Sequence, residues 1–298
     1  MGSFYAACVR IVSLVPSATE IIAALGLADQ LVGRSHECNY PREVESVPVV
    51  SASRIDTSAI ASAEIDGAVR AALADGRPLY AVDADLLEHV APDVIVTQDL
   101  CEVCAVSSGE VKRVAGSKAE TISLDPRDLG EIEESIRTLA RHLGAAAKGE
   151  LLAQAMHHRI DGVREAVRGL PRPRVFVAEW LDPPFAAGHW VPEMVAMAGG
   201  DEVLGRTRER SFPTTWAAVA ASAPQLVVLA PCGFDVERTV AEAGGVPALG
   251  ARVVAVDGDA AYSRPGPRVA EGVEQLANLM HPEAVEAPRL PLCQLIPG

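Results

Sequence analysis

Cysteine and histidine side chains in separate loops are the groups of this sequence best suited to bind a metal ion. Cys101 and Cys104 form a Cys-x-x-Cys pair that follows an apolar run and precedes a predicted helix. The N-terminus of a helix stabilises a thiolate, so one sulfur of the pair is predicted to be reactive or to bind metal. His36, Cys38 and Cys232 come from other loops, and their convergence on the pair would create a site for zinc or an iron–sulfur cluster. A buried thiol that packs as a small apolar group is the alternative, which the sequence favours for Cys232.

Aromatic side chains form the second group with a chemical role. All three tryptophans lie near loops that follow predicted strands, although aromatic residues make up 4% of the chain. This placement predicts flat surfaces for a large, flat ligand. His189 and Trp190 form one such loop. In another, Pro183 fixes the backbone beside Trp180 and Phe185, whose rings are then either open to a ligand or packed within a rigid loop.

Signatures of the common enzyme classes do not occur in the sequence. No G-x-S-x-G, Walker A, G-x-G-x-x-G or H-E-x-x-H motif is present. No base is placed beside a nucleophile, so we assign no catalytic residue and expect a binding protein rather than an enzyme.

The elements that position these side chains occur twice along the chain. Residues 10–34 and 173–206 each contain a β-branched run, a polar break, an apolar helix that ends at glycine, and a tail that ends in Gly-Arg. Two further pairs follow in the same order, 83–101 with 214–233 and 119–126 with 251–259. Alternating strand and helix signals predict an α/β fold with two parallel-sheet lobes and a ligand cleft between the lobes. Ligands of such sheets bind beside the carboxyl ends of the strands.

One long helical pattern joins the two halves. The predicted organisation is an N-terminal α/β lobe, a linking helix, a C-terminal α/β lobe and a tail, at residues 9–144, 145–170, 171–285 and 286–298. The first lobe contains a helical insertion at about 53–82 that has no counterpart in the second half, and Ser62 is its predicted N-cap.

Composition restricts the partners and the location. The net charge of −14 argues against nucleic-acid binding, which needs clustered Lys and Arg. No run of eighteen apolar residues is present, so no membrane span is expected. The first residues lack the pattern of a secretory signal, which predicts a cytoplasmic protein.

A family resemblance covers nearly the whole chain from Val9 to about Pro282. The sequence runs RIVSLVPSATEIIAALGLADQLVG, SHECNYP, DPPFAAG, EMVAMAGG and SRPGPRVAEGVEQLANLMHP are similar to the helical-backbone (class III) substrate-binding proteins of ABC importers. The similarity is greatest to the vitamin B12-binding branch. The Cys-x-x-Cys loop and the cysteine of SHECNYP resemble a cytosolic, cobalamin-binding-like subgroup of that family.

The resemblance implies cobalamin as the ligand, held between the lobes by aromatic side chains. By position, the ligand-facing residues would be Tyr40, Trp180, Pro183, Phe185, Trp216 and Tyr262. It also implies an ABC permease as a partner, to which one acidic residue of each lobe would dock, with Glu20 and Glu202 as the nearest acids.

Three hypotheses remain open at this point. The first is a cytosolic protein that binds a corrinoid, with His36, Cys38 or the Cys-x-x-Cys pair near the cobalt. The second is a metal or iron–sulfur protein on the same scaffold. The third is a thiol-dependent corrinoid-processing enzyme in which Cys101 attacks an upper ligand.

Overall fold

The computed structural model describes residues 9–57, 60–100, 106, 109, 111, 113 and 119–295. It divides into two compact units. Unit 1 comprises Met1–Asp56, Ala68–Asp125 and Ser135–Leu152, and unit 2 comprises Thr57–Gly67, Pro126–Glu134 and Ala153–Gly298. The domain bounds given above stay predictions; the units differ from them because two short segments of the first half belong to unit 2.

Strands and helices alternate along most of the described chain. The strands are β1 (Ile11–Ser13), β2 (Leu31–Arg34), β3 (Ser51–Ser53), β4 (Tyr80–Val82), β5 (Val94–Thr97), β6 (Glu120–Ser123), β7 (Arg174–Leu181), β8 (Pro184–Ala186), β9 (Asp201–Glu202), β10 (Phe212–Pro213), β11 (Leu226–Leu229), β12 (Arg252–Val256) and β13 (Leu292–Leu295). The α-helices are α1 (Pro16–Ala24), α2 (Ser62–Ala74), α3 (Ala84–Val90), α4 (Leu129–His142), α5 (Ala146–Ala166), α6 (Val191–Met197), α7 (Trp216–Ala221), α8 (Val236–Glu242), α9 (Gly258–Ala261) and α10 (Val269–Met280). Within these residues, no helix combines the length and the apolar character that crossing a membrane requires.

A parallel four-stranded sheet forms the centre of unit 1, in the order β2-β1-β5-β6. Val12 of β1 is paired with Gly33 of β2 and with Ile95 of β5. All four residues of β5 are buried, as expected for a parallel strand that is covered on both faces.

The sheet of unit 2 contains the same parallel arrangement with additional antiparallel strands. Its order is β10-β8-β7-β11-β12-β13, and β9 pairs in parallel with β7. Val227 of β11 is paired with Phe176 of β7 and with Val253 of β12. The antiparallel strands are β8, β10 and β13.

The sequence repeat has a structural counterpart within each unit. Parallel strands follow the order β2-β1-β5-β6 in unit 1 and β9-β7-β11-β12 in unit 2. The helices of the second repeat pair are both N-capped, because Asp83 accepts a hydrogen bond of 2.9 Å from Leu86 N and Thr215 accepts one of 3.1 Å from Ala218 N. The predicted α/β class with two parallel sheets is confirmed. The cleft between the lobes stays a prediction.

The insertion begins and ends in a short antiparallel ribbon. Strand β3 pairs with β4, and Ser51 lies opposite Val82. Helix α2 lies between these strands in sequence, as the insertion predicts. Ser62 is the first residue of this helix and not its N-cap, so that prediction is wrong by one position. Its hydroxyl instead contacts Glu242.

The linking helix α5 packs closely against α4 within unit 1. A Cβ atom at Gly149 of α5 would lie well inside van der Waals contact with the Cβ of Ala140, and 3.4 Å from the carbonyl oxygen of Ile136. The two helices therefore approach at this point to a distance that only a residue without a side chain permits.

Two glycines of the same helix provide a matched test of this contact. Gly149→Ala is expected to lower the free energy of unfolding by about 1–3 kcal/mol, because an added methyl group overpacks the interface. Gly162→Ala is expected to raise it by up to about 1 kcal/mol, since nothing lies within 4 Å of that position and alanine favours helix. Urea denaturation of both variants checks the prediction, and equal effects at the two positions would contradict the close approach.

Candidate functional site

The carboxyl ends of the parallel strands of unit 2 bring several loops to one edge of its sheet. Strand β7 ends at Leu181, β11 at Leu229 and β12 at Val256. These strands are parallel and adjacent, so their following loops lie side by side, in the position where ligands of open α/β sheets bind. Trp180, Pro183 and Phe185, three of the predicted ligand-facing residues, belong to this edge.

Trp180 and Phe185 form a cross-strand pair on the hairpin of β7 and β8. Trp180 lies directly opposite Phe185, and the register is irregular between Ala178 and Trp180. Residues directly opposite in an antiparallel pair share one face, and such an irregularity turns a side chain relative to the strand. Both rings are partly exposed, and so is Pro183. The hairpin therefore presents a half-buried aromatic surface at the carboxyl edge of the sheet.

The indole ring of Trp180 packs against the ring of Phe234, and the guanidinium group of Arg238 stacks on that second ring. The ring centroids of Trp180 and Phe234 lie 5.2 Å apart at an interplanar angle of 58°. The guanidinium carbon of Arg238 lies 3.9 Å from the centroid of the Phe234 ring. Phe234 is buried and packs against Trp180, so it restricts the position of the indole ring. Aromatic pairs and cations stacked on rings each stabilise such an arrangement by about 0.5–1.5 kcal/mol.

Sequence reasoning included the loop with Phe234 but missed Arg238 and Glu242. The signal for these residues is a spacing of four, since Phe234 is followed by Arg238 at i+4 and by Glu242 at i+8. On a helix, residues four positions apart lie next to each other. Arg238 and Glu242 form an ion pair of 3.2 Å on α8.

His189 is held in an uncommon backbone conformation. Its φ angle of 50° lies in the left-handed region, which is strained for a residue with a side chain. Two backbone hydrogen bonds fix it there: His189 N donates to Glu209 O at 2.7 Å, and Arg208 N donates to His189 O at 2.9 Å. The imidazole ring stacks on Trp190, with centroids 5.7 Å apart.

One nitrogen of the His189 ring has no hydrogen-bond partner in the part of the chain that the structure describes. Among the described residues, its Nε2 atom is buried and makes no hydrogen bond. Burial lowers the pKa of His189 below its ordinary value, and the positive charges of Arg210 and Arg127 lower it further. The lone pair of a neutral imidazole nitrogen can coordinate a metal ion or accept a hydrogen bond from a ligand.

The lowered pKa of His189 predicts a pH effect on stability. Below the unfolded-state value of 6.5, the unfolded chain binds this proton more readily than the folded chain does. The stability that neutral His189 contributes is therefore complete above that pH and is lost as the pH falls towards the folded-state pKa. Replacing His189 with glutamine should reduce the acid-induced loss of stability, as measured by urea unfolding at about pH 7.5 and about pH 5.5. Parallel losses in the two proteins would contradict the shift.

Trp190 and Tyr262, two of the residues predicted to contact a ligand, lie in the core of unit 2. Trp190 is 6% exposed and Tyr262 is 1% exposed. The indole Nε1 of Trp190 donates to Tyr262 O at 2.9 Å, and the Tyr262 hydroxyl donates to Gln275 Oε1 at 2.9 Å. Burial raises the pKa of the Tyr262 hydroxyl. The polar groups of both rings are hydrogen-bonded and little of their surface is exposed. Their role in ligand contact stays a prediction.

Trp216 also packs on the core of unit 2. Its ring meets Phe176 edge to face, with centroids 6.3 Å apart at 79°. It is partly buried against the cluster that contains Phe176, Val227 and Leu229. Its role in ligand contact stays a prediction.

In unit 1, the predicted ligand-binding and metal-binding residues are adjacent in sequence but differ in exposure. Tyr40 is 45% exposed. The Nδ1 atom of His36 lies 3.1 Å from Ser51 Oγ, and the ring lies 5.6 Å from that of Tyr80. Cys38 is fully buried, and the Thr19 hydroxyl donates to its sulfur at 2.9 Å.

The metal-centre hypothesis gains no support from these positions. The burial and hydrogen bonding of Cys38 fit a thiol that packs as a small apolar group, and its role as a metal ligand stays a prediction. Cys232 is partly exposed in unit 2. Cys101 and Cys104 lie outside the described residues. Across the described ranges of the chain, no group of three or more His, Cys, Asp and Glu side chains is arranged to hold a metal ion.

The two acids suggested for permease docking are engaged within the protein. Glu20 is 3% exposed. The Glu202 carboxylate accepts hydrogen bonds from Val177 N at 3.1 Å and from Gly205 N at 3.0 Å. Burial raises the pKa of Glu202 to about 7, against the effect of these hydrogen bonds. Glu20 is buried and Glu202 is partly exposed, so permease docking by these two acids stays a prediction.

Comparison with known proteins gives the chain its family. Residues 11–244 match the family described as periplasmic binding protein. The chain is 25% identical over 289 residues to the uncharacterized ABC transporter substrate-binding lipoprotein YvrC of Bacillus subtilis (strain 168), with 92% of this chain and 80% of that protein covered. It is 22% identical over 277 residues to the vitamin B12-binding protein of Yersinia pestis (strain Pestoides F), with 91% and 86% covered.

A solved structure shows the same fold. The crystal structure of a periplasmic heme binding protein from Pseudomonas aeruginosa has a TM-score of 0.72 at 19% sequence identity, and the match covers 97% of this chain and 99% of that one. The chain belongs to the periplasmic binding protein family.

Proposed function

We propose that this protein binds a metal-containing tetrapyrrole, with a corrinoid of the cobalamin type as the first candidate. The observation that carries the proposal is the half-buried pair of Trp180 and Phe185 at the carboxyl edge of the sheet in unit 2. A relative named for vitamin B12 binding and a structural neighbour named for heme binding support the same ligand class.

The physical basis is the shape and polarity of the aromatic pair. The Trp180 indole donates its N–H to Ser62 O at 3.2 Å, so its polar edge is satisfied and its remaining surface is apolar. A large planar macrocycle buries more area on such a surface than a small polar solute does. At about 25 cal/mol for each Å² of apolar surface, this burial favours the macrocycle.

Heme is the second candidate, and His189 is the observation that favours it. Its buried Nε2 atom has no hydrogen-bond partner among the described residues, and its lowered pKa keeps the ring neutral. A neutral imidazole is a common axial ligand of heme iron. Arg127 and Arg210 are near enough to affect the pKa of His189 and carry charges that complement carboxylate groups of a heme.

An absorbance titration with hydroxocobalamin and with hemin separates the two candidates. We expect saturable binding with a spectral shift for one of these ligands. His189→Ala should abolish the shift if the ligand is hemin held through the imidazole, and should leave hydroxocobalamin binding nearly unchanged if the corrinoid binds through the aromatic surface. His158→Ala is the control, because this histidine lies on the exposed face of α5. Absence of binding for both ligands would refute the proposal.

The family provides the context for the partner. Periplasmic binding proteins of this type deliver a small molecule to an ABC permease, and we propose such a permease as the partner here. The cytoplasmic location predicted from the sequence stays a prediction, which cell fractionation would test.

A further inference from the structure

A short segment of the insertion belongs to unit 2 and lies against the aromatic surface. We call Thr57 and residues 60–67 the strap; it includes the first turn of α2. The second half of the sequence has no counterpart of it. Because Trp180 Nε1 donates to the carbonyl oxygen of Ser62 at 3.2 Å, the strap contacts the ring that we propose as the main ligand contact.

Five side chains and two backbone groups of Ser62 form a closed ring of contacts between the strap and the sheet edge. Trp180 bonds to Ser62, Ser62 N donates to Glu242 Oε2 at 2.8 Å, and the Ser62 hydroxyl also donates to Glu242. Glu242 pairs with Arg238 at 3.2 Å, Arg238 stacks on Phe234, and Phe234 contacts Trp180. Each member is held by two neighbours, so loss of one contact loosens the others.

Arg238 attaches the strap at a second point. Its Nη2 atom donates to the carbonyl oxygens of Thr57 at 2.8 Å and Ile60 at 3.1 Å. The side chains of Arg238 and Glu242 are 26% and 18% exposed, so their interaction is only partly screened by solvent. The guanidinium group of Arg238 therefore interacts with a carboxylate, two carbonyl groups and an aromatic face.

From this arrangement we infer that the strap determines ligand specificity by fixing the orientation of the Trp180 ring; the inference rests on the proposed function. With its N–H bonded to Ser62 O, the indole offers the ligand an apolar surface and no free donor. The fixed ring favours a macrocycle that fits one orientation, and release of the strap frees both the ring and its donor. Ser62 and Glu242 are positioning residues, since they act on the ligand through Trp180.

The test compares Glu242→Ala with Glu237→Ala, which removes an exposed acid from the same helix. A second variant, Ser62→Pro, removes both donors to Glu242 while keeping the carbonyl group that Trp180 uses, and proline is tolerated in the first turn of a helix. For each protein, hydrogen exchange of the strap and the dissociation constants of hydroxocobalamin and hemin are measured.

We expect Glu242→Ala and Ser62→Pro to accelerate exchange in the strap, to weaken binding of the preferred tetrapyrrole by about tenfold, and to reduce its preference over the other. Glu237→Ala should match the wild type. Faster exchange with unchanged affinities and an unchanged preference would overturn the inference, as would unchanged exchange in both variants. If the wild type binds neither ligand, the proposed function fails and the inference fails with it, while the exchange data still show whether the contacts hold the strap.

Discussion

Trp180→Ala is expected to weaken tetrapyrrole binding by about 30- to 100-fold. Buried or half-buried aromatic residues at the centre of a binding surface commonly contribute 2 kcal/mol or more, and each 1.4 kcal/mol corresponds to about a tenfold change in affinity. The effect should exceed that of any other predicted ligand residue, because Trp180 lies opposite Phe185 and is supported by Phe234.

Trp180→Phe is the matched control for this variant. Phenylalanine keeps a flat ring on the same strand and loses the donor to Ser62 O, so we expect an intermediate loss of affinity. Titration of both variants with the ligand that the wild type prefers checks the prediction. Equal affinities of wild type and Trp180→Ala would show that the ligand binds elsewhere.

Phe176→Ala is expected to lower the free energy of unfolding by about 3–5 kcal/mol. Phe176 is fully buried in the central strand β7, pairs with Val227 of β11, and packs edge to face against Trp216. Its removal leaves a cavity between strands and helices that the surrounding backbone cannot close, so the transfer and cavity effects add.

Urea denaturation measures this loss, and Val240→Ala provides the comparison. Val240 belongs to the same unit and is 36% exposed, so its truncation should cost well under 1 kcal/mol. Similar losses for the two variants would contradict the central position of Phe176 in the core.

The sequence repeat predicted more of the fold than of the site. The paired segments indicated which strands and helices are equivalent. Helix capping is a local property of residues such as Asp83 and Thr215, so it follows directly from the sequence pattern. The paired segments predicted two parallel sheets, and both units have the same order of parallel strands.

The side-chain roles were harder to predict because residue type does not report burial. Tyr262 and Trp190 follow strands as ligand-binding aromatics do, yet their polar groups bond to Gln275 and to backbone inside the core. Cys38 has the chemistry of a ligand and is buried under Thr19.

The strap illustrates a contact that no local pattern indicates. Ser62 and Glu242 are 180 residues apart in sequence, and their contact depends on the path of the insertion in three dimensions. The four-residue spacing from Phe234 through Arg238 to Glu242 is present in the sequence. It does not indicate that Arg238 and Glu242 contact the strap.

The most direct test of tetrapyrrole binding is isothermal titration calorimetry of the purified protein with hydroxocobalamin and, separately, with hemin. We expect saturable binding of one of them at a fixed stoichiometry, with a negative heat capacity change because apolar surface is buried. No saturable heat for either ligand, in protein that remains folded, would contradict the central claim.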